Sequence, residues 1–188
     1  MPVQLIRPKR FADDRGWFSE TYHQRRLAEQ GIDTVFCQDN HSLSRPVGTL
    51  RGLHFQAPPH AQAKLVRCVR GSIWDVAVDV RNGSPTFGQW VAATLSADNG
   101  DQLFMPAGFA HGFVTLEPDS EVIYKVDDYY APDCDGGIAW DDPDIALPWP
   151  APADGPVLSD KDRRLPRLAQ WTSPFAYDGR PLQPLASL

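Results

Sequence analysis

From Thr49 to about Asp128 the chain reads almost entirely as strand and turn, and this run decides the fold class. Lys64-Leu65-Val66-Arg67-Cys68-Val69-Arg70 alternates polar and apolar residues, and Gly71-Ser72 turns the chain. The segment from Ile73 to Val80 alternates again, with Trp74, Val76, Val78 and Val80 on one face. Asn82-Gly83-Ser84-Pro85 is the next turn. Gly88 to Leu95, Gln102 to Met105, Gly112 to Leu116 and Glu121 to Val126 complete the set. Short strands punctuated at this spacing predict an all-β sandwich or small barrel.

The flanks read differently. Residues 1–20 suggest a strand, a turn held within Lys9 to Gly16 and a second strand that follows from Trp17. Residues 23–30 form the best helix candidate, stopped by Gly31. Val35 to Ser42 reads as a strand with a polar end, and residues 44–48 as a loop. The last 40 residues are Pro-rich and irregular, and are expected to wrap the barrel. At 188 residues the expectation is one domain, with an N-terminal part at 1–48, a barrel core at 49–128 and a wrap at 129–188.

Bulk properties exclude several functions. A net charge of −6 and a pI of about 5.2 argue against nonspecific nucleic-acid binding, so an anionic ligand would need local Arg and Lys. No apolar run approaches the roughly 18 residues of a membrane span. The N-terminus lacks a charged lead before an apolar stretch, so no secretory signal is expected. Cys37, Cys68 and Cys134 are odd in number and have no paired spacing. They fit a reducing, cytoplasmic setting and read as small buried hydrophobes.

Two stretches put a histidine beside a glycine in an apolar strand: Arg51-Gly52-Leu53-His54-Phe55-Gln56 and Gly108-Phe109-Ala110-His111-Gly112-Phe113. Gly100-x5-Pro106-x-Gly108-x2-His111 resembles the second half of the cupin signature, which implies a double-stranded β-helix, or jelly roll, with short peripheral helices. The first half of that signature carries His-x-His and a nearby glutamate in metal-binding members. Here the second position is Gln56 and no glutamate follows it before Gly71, so no metal is expected. His54, Arg51, Lys64 and Tyr124 then suit a cavity that abstracts a proton beside a carbonyl. Imidazole is a good base near neutrality, a carboxylate can orient it, and a cation can stabilise the enolate. A tyrosine on the far side could return the proton to the opposite face. Arg51 and His54 differ by three, which strict alternation sets on opposite faces. Gly52 could mark a bulge that brings both inward, or Arg51 could sit at the rim to meet an anion, the preferred reading.

At these residues the chain resembles the dTDP-4-dehydrorhamnose 3,5-epimerase family. The similarity runs through Ala61-Gln62-Ala63-Lys64-Leu65-Val66-Arg67, Asp75 to Arg81, Ser84-Pro85-Thr86-Phe87-Gly88, Tyr124-Lys125, Trp140-Asp141-Asp142-Pro143 and Leu158-Ser159-Asp160-Lys161-Asp162. It spans roughly Arg7 to Leu168 and leaves the final 20 residues outside. The resemblance implies a homodimer without metal or cofactor that inverts C3 and C5 of dTDP-4-dehydro-6-deoxy-D-glucose, as part of dTDP-L-rhamnose formation. It implies His54 as base, Asp162 as its carboxylate, Tyr124 as proton donor and Lys64 as the cation near the C4 oxygen. It places Arg15, Glu20, Gln38, Asn40, Arg51, His111, Asp135 and Lys161 at substrate-binding positions. Asp135 stands where the family often has glutamate. Tyr129 or Tyr130 would meet the thymine, and the region of Arg15 to Glu20 would come from the partner subunit.

Overall fold

The computed structural model describes residues 1–185. Its strands are β1 (Gln4–Ile6), β2 (Arg10–Asp13), β3 (Gly16–Ser19), β4 (Gln38–Ser44), β5 (Leu50–Gln56), β6 (Lys64–Arg70), β7 (Ser72–Asp79), β8 (Trp90–Ser96), β9 (Gln102–Met105), β10 (Phe109–Thr115), β11 (Ser120–Val126) and β12 (Asp135–Gly137). Two five-stranded sheets face each other, in the orders β1-β9-β6-β11-β4 and β12-β5-β10-β7-β8. Between β4 and β11 the chain changes sheet at nearly every turn, which gives jelly-roll topology. All named pairings are antiparallel.

Between the sheets lies an apolar cluster that includes Val66, Cys68, Leu103, Met105 and Val122 from one side and Ile73, Ala77, Leu95, Phe109 and Phe113 from the other. The alternating apolar face of β7 does not point there. Val76, Val78 and Val80 face outward and are covered by Ile138, Ile145, Leu168 and Phe175 of the C-terminal wrap. Trp74, Trp90 and Trp149 pack edge-on in the same layer. The wrap thus converts a one-sided strand into one buried on both faces, and frees its inward positions, including Asp75, for polar use.

The helix α1 (Gln24–Glu29) ends as the sequence predicts. Gly31, at φ +81°, donates to Ala28 O at 2.9 Å, and Ile32 donates to Leu27 O at 2.8 Å. This is the paired closure of a Schellman turn, with Leu27 and Ile32 buried in one cluster over the outer face of the first sheet. Gly31 supplies the left-handed conformation that the closure requires. The expected strand at 35–42 begins later, at Gln38. One expectation fails at the cysteines: Cys68 is buried, but Cys37 is exposed and Cys134 only partly covered. Among the described residues no helix is long and apolar enough to cross a membrane.

Candidate active site

A cavity of about 380 Å³ opens at one end of the sandwich. Strands of both sheets and the C-terminal segment build it. β5 contributes Arg51 and His54, β6 Lys64, β10 His111, β11 Tyr124, and the segment after the barrel Lys161 and Asp162. β12 adds Asp135, and Tyr130 closes one side.

The register explains why the histidines meet. His54 of β5 is the direct partner of His111 on β10. The next pairing is Arg51 with Phe113, so Gly52 and Leu53 together oppose Gly112. That extra residue is a β-bulge, and it returns Arg51 to the face of His54. Gly52 has φ +149°, and a Cβ there would sit 2.6 Å from the Gly112 Cα. Only glycine lets the two backbones approach this closely. Both readings of Arg51 therefore describe one arrangement: the bulge brings it round, and its exposed guanidinium lies at the mouth, with Nε donating to Ser44 Oγ at 3.1 Å.

His54 Nε2 lies 2.5 Å from Asp162 Oδ1 across a separation of 108 residues. Ser159 Oγ donates to Asp162 Oδ2 at 2.8 Å and accepts from the Asp162 backbone N–H at 3.1 Å. Burial works to raise the Asp162 carboxyl, but the hydrogen bond and charge of His54, then Ser159 and Lys161, more than reverse it. The carboxyl is left below its ordinary range, so it is an anion at neutral pH. With Nε2 bonded to Asp162, the imidazole keeps the lone pair of Nδ1 for a proton.

Lys64 is buried, and its Nζ donates to His54 O at 3.3 Å. Burial lowers its pKa to about 8, against the pull of Asp75 and Asp135. It remains mostly a cation at neutral pH. Tyr124 sits on β11 opposite Val66, and burial raises its phenol, which therefore keeps its proton. His111 is buried, with Nε2 2.7 Å from Asp75 Oδ1. Burial lowers its pKa against that carboxylate, so the ring is neutral.

The remaining expected residues divide. Lys161 and Asp135 form an ion pair at the mouth, and Tyr130 Oη reaches Asp135 Oδ2 at 3.5 Å. Both tyrosines are exposed, but only Tyr130 lines the cavity, while Tyr129 offers its carbonyl to Gln56 Nε2 at 3.0 Å. Gln38 and Asn40 lie on β4, joined by a 3.0 Å hydrogen bond, with Asn40 in register with Tyr124. Gln38 Oε1 accepts from the Tyr130 backbone at 3.3 Å. Arg15 and Glu20 are not brought to this cavity by their own chain. Arg15 is at the tip of the β2–β3 hairpin, paired with Asp13 at 2.5 Å, and Glu20 pairs with Arg26 in a groove on the outer face of the first sheet.

Three residues were not singled out in the sequence. Asp75 is visible there only as a polar residue interrupting an apolar strand. Ser159, three residues before Asp162, could have been read as a local Ser-carboxylate turn. Gln56, recognised only as a missing ligand, has a positive role. Its amide bonds the backbone of His60, Tyr129 and Ala131, and so ties two loops to the cavity wall. Among the described residues no three His, Cys, Asp or Glu side chains converge as a metal site would require.

The model of the dTDP-4-dehydrorhamnose 3,5-epimerase family matches residues 2–170. The chain belongs to that family. It is an isomerase, and the cupin-type jelly roll is the fold of its structural neighbours. The dTDP-4-dehydrorhamnose 3,5-epimerase of Sinorhizobium fredii is 52% identical over 175 residues, covering 93% of this chain and 89% of that protein. The crystal structure of the Bacillus anthracis epimerase with TDP and PPi bound superposes with a TM-score of 0.85 at 52% identity, over 88% of this chain and 93% of the other. The Legionella pneumophila dTDP-6-deoxy-D-glucose-3,5-epimerase, in complex with dTDP-4-keto-L-rhamnose, gives 0.85 at 44% identity, over 89% and 88%. The epimerase fold thus accounts for the barrel and for the segment carrying Asp162, while residues beyond 170 extend past the family match.

Proposed function

We propose that this epimerase converts dTDP-4-dehydro-6-deoxy-D-glucose to dTDP-4-dehydro-L-rhamnose, with His54 as the base that removes the protons at C3 and C5. The observation that carries the reading is the convergence of the His54–Asp162 pair, the Lys64 cation and the Tyr124 phenol on one cavity. Protons beside the C4 ketone are acidic only if the enolate is stabilised, and the Lys64 ammonium supplies that charge in a site of low dielectric. Asp162 orients the imidazole and stabilises the imidazolium formed when the proton is taken. Tyr124, protonated and across the cavity on the facing sheet, returns a proton to the opposite face of the carbon. Base on one face and acid on the other is what inversion requires.

Arg51 at the mouth suits the pyrophosphate, with Lys161 and Asp135 beside it. Tyr130 offers the ring for the thymine. Arg15 and Glu20 act in this reading on the cavity of a second subunit. Phe11, Trp17 and Phe18 on the hairpin that carries Arg15 are 46%, 57% and 66% exposed, a surface suited to burial in a homodimer. The unpaired cysteines suit the cytoplasm.

Incubating chelator-treated protein with the dTDP-4-keto sugar in D₂O tests the reaction. Deuterium is expected at both C3 and C5. Label at one carbon would make this a single-centre epimerase, and label at neither would end the proposal.

A further inference from the structure

We propose that Asp75 is a positioning residue of this epimerase: its buried carboxylate fixes the His111 ring and supplies the negative charge that holds the Lys64 ammonium in the cavity. The inference deepens the proposed function, since it rests on Lys64 acting as the cation beside the enolate.

Asp75 lies on β7 and is fully buried. Its Oδ1 is 2.7 Å from His111 Nε2. Its Oδ2 has no hydrogen-bond partner among the described residues. A half-satisfied carboxylate in a dry interior is costly, and an apolar residue of similar size would hold the strand more cheaply. The position therefore needs an explanation outside stability.

The neighbours of Lys64 give it. Sharing the cavity with it are Asp135 from β12, His54 and Arg51 from β5, His111 from β10, Tyr124 from β11, and Lys161 and Asp162 from the C-terminal segment, while Asp75 of β7 stands behind His111 and acts on Lys64 through its charge. Burial depresses the Lys64 pKa, and of the charges that oppose this Asp75 ranks first and Asp135 second. Asp135 is already engaged by Lys161. His111, held neutral by its own burial, does not cancel the Asp75 charge. Asp75 thus keeps its charge, and one unpartnered carboxylate oxygen, behind the cavity wall. Its hydrogen bond also settles the His111 tautomer: Nε2–H points at Asp75, and Nδ1 is left to accept from a hydroxyl of the sugar.

Asp75→Asn separates the two roles, because the amide oxygen can still accept from His111 while the charge is gone. The chain contains four lysines, so ¹³C-lysine labelling gives a spectrum in which Lys64 is assigned by its loss in Lys64→Met. The Lys64 midpoint, about 8 in the native protein, should fall by about one pH unit in Asp75→Asn. The alkaline limb of kcat/KM should move with it, so the variant loses several-fold at pH 7.5 to 8 and far less near pH 6. A structural defect alone would lower activity equally at all pH values. Asp75→Glu, which keeps the charge, should leave the midpoint near 8 and raise KM through the displaced His111. An unchanged midpoint in Asp75→Asn overturns the proposal, as does an equal fall in Asp75→Glu, which remains informative if the amide variant does not fold. The lysine titration needs no turnover, so it stands apart from failure of the wild-type protein to label its substrate.

Discussion

The cavity contains two histidine–carboxylate pairs, and they are built in opposite ways. His54–Asp162 joins a barrel strand to a segment 108 residues away, and its imidazole is 29% exposed. His111–Asp75 joins neighbouring strands of one sheet, with side chains 7% and 0% exposed. The strands place the rings side by side by register. Their chemistry then diverges through solvent access and partners. An imidazole that must take and release protons needs a path to water and an anion to stabilise its cation. One that only receives a hydrogen bond is better sealed, because burial keeps it neutral. Similar pairs thus acquire the roles of base and ligand holder.

The strongest way to break this contrast is to delete each ring. His54→Ala should remove deuterium exchange at both carbons, a loss of about 10⁴-fold or more in kcat, with binding of dTDP retained. Isothermal titration with dTDP beside the exchange assay checks both halves. If His111→Ala instead abolished exchange while His54→Ala retained it, the roles would be reversed.

Asp162→Asn comes next, with an expected loss of about 10²- to 10³-fold in kcat, since the imidazolium loses its counter-charge while the ring keeps a hydrogen-bonding neighbour. The same variant has a stability signature of defined sign. The Asp162 carboxyl is held below its ordinary range in the folded chain. Its stabilisation is therefore fully present above the ordinary carboxylate pKa and is lost as pH falls through the folded value. Thermal melts should separate wild type from Asp162→Asn at pH 7, and the gap should narrow in acid. A gap that widens in acid would contradict the assignment of charge.

Which parts of this contrast were legible in the sequence follows from its physics. Period-two alternation exposed β6 and β7 almost to the residue, short apolar runs between turns marked β9 and β11, and Gly31 marked the end of α1. Alternation grouped residues by face but could not say which face points inward, because local geometry and distant packing decide that. The bulge at Gly52 turned Arg51 inward, and the wrap claimed the apolar face of β7 for the outside. Asp162 was reachable only through family resemblance, because no spacing rule connects residues 108 apart. Asp75 needed the packed structure, since burial gives a carboxylate on a strand its meaning. The tail beyond the family match was expected to wrap the barrel but not where, and it packs Trp171 and Phe175 against Phe55, with ring centroids at 4.9 and 5.5 Å, behind the strand that carries His54.

A milder change sharpens the comparison on the buried side. His111→Gln keeps a polar group but loses the ring acceptor. The expected outcome is KM raised about tenfold with kcat within about threefold, because one hydrogen bond to the substrate is worth about 1.4 kcal/mol here. Steady-state kinetics decides. A fall confined to kcat would show that His111 touches the transition state alone and would move it closer in role to His54.

The smallest effect should come from Ser159→Ala, which probes how firmly the long-range pair is aimed. Ser159 holds Asp162 at two points, its side chain and its backbone N–H. His54 and the local turn still locate the carboxylate when the hydroxyl is gone, so its charge persists. One neutral donor to an anion contributes about 1–2 kcal/mol when its alternative is water, and Ser159 itself is exposed. The loss in kcat should therefore be about three- to tenfold with KM unchanged, measured beside Asp162→Asn. The double variant should be no slower than Asp162→Asn alone, because the hydroxyl acts only through that carboxylate. Additive losses would mean that Ser159 reaches the substrate directly.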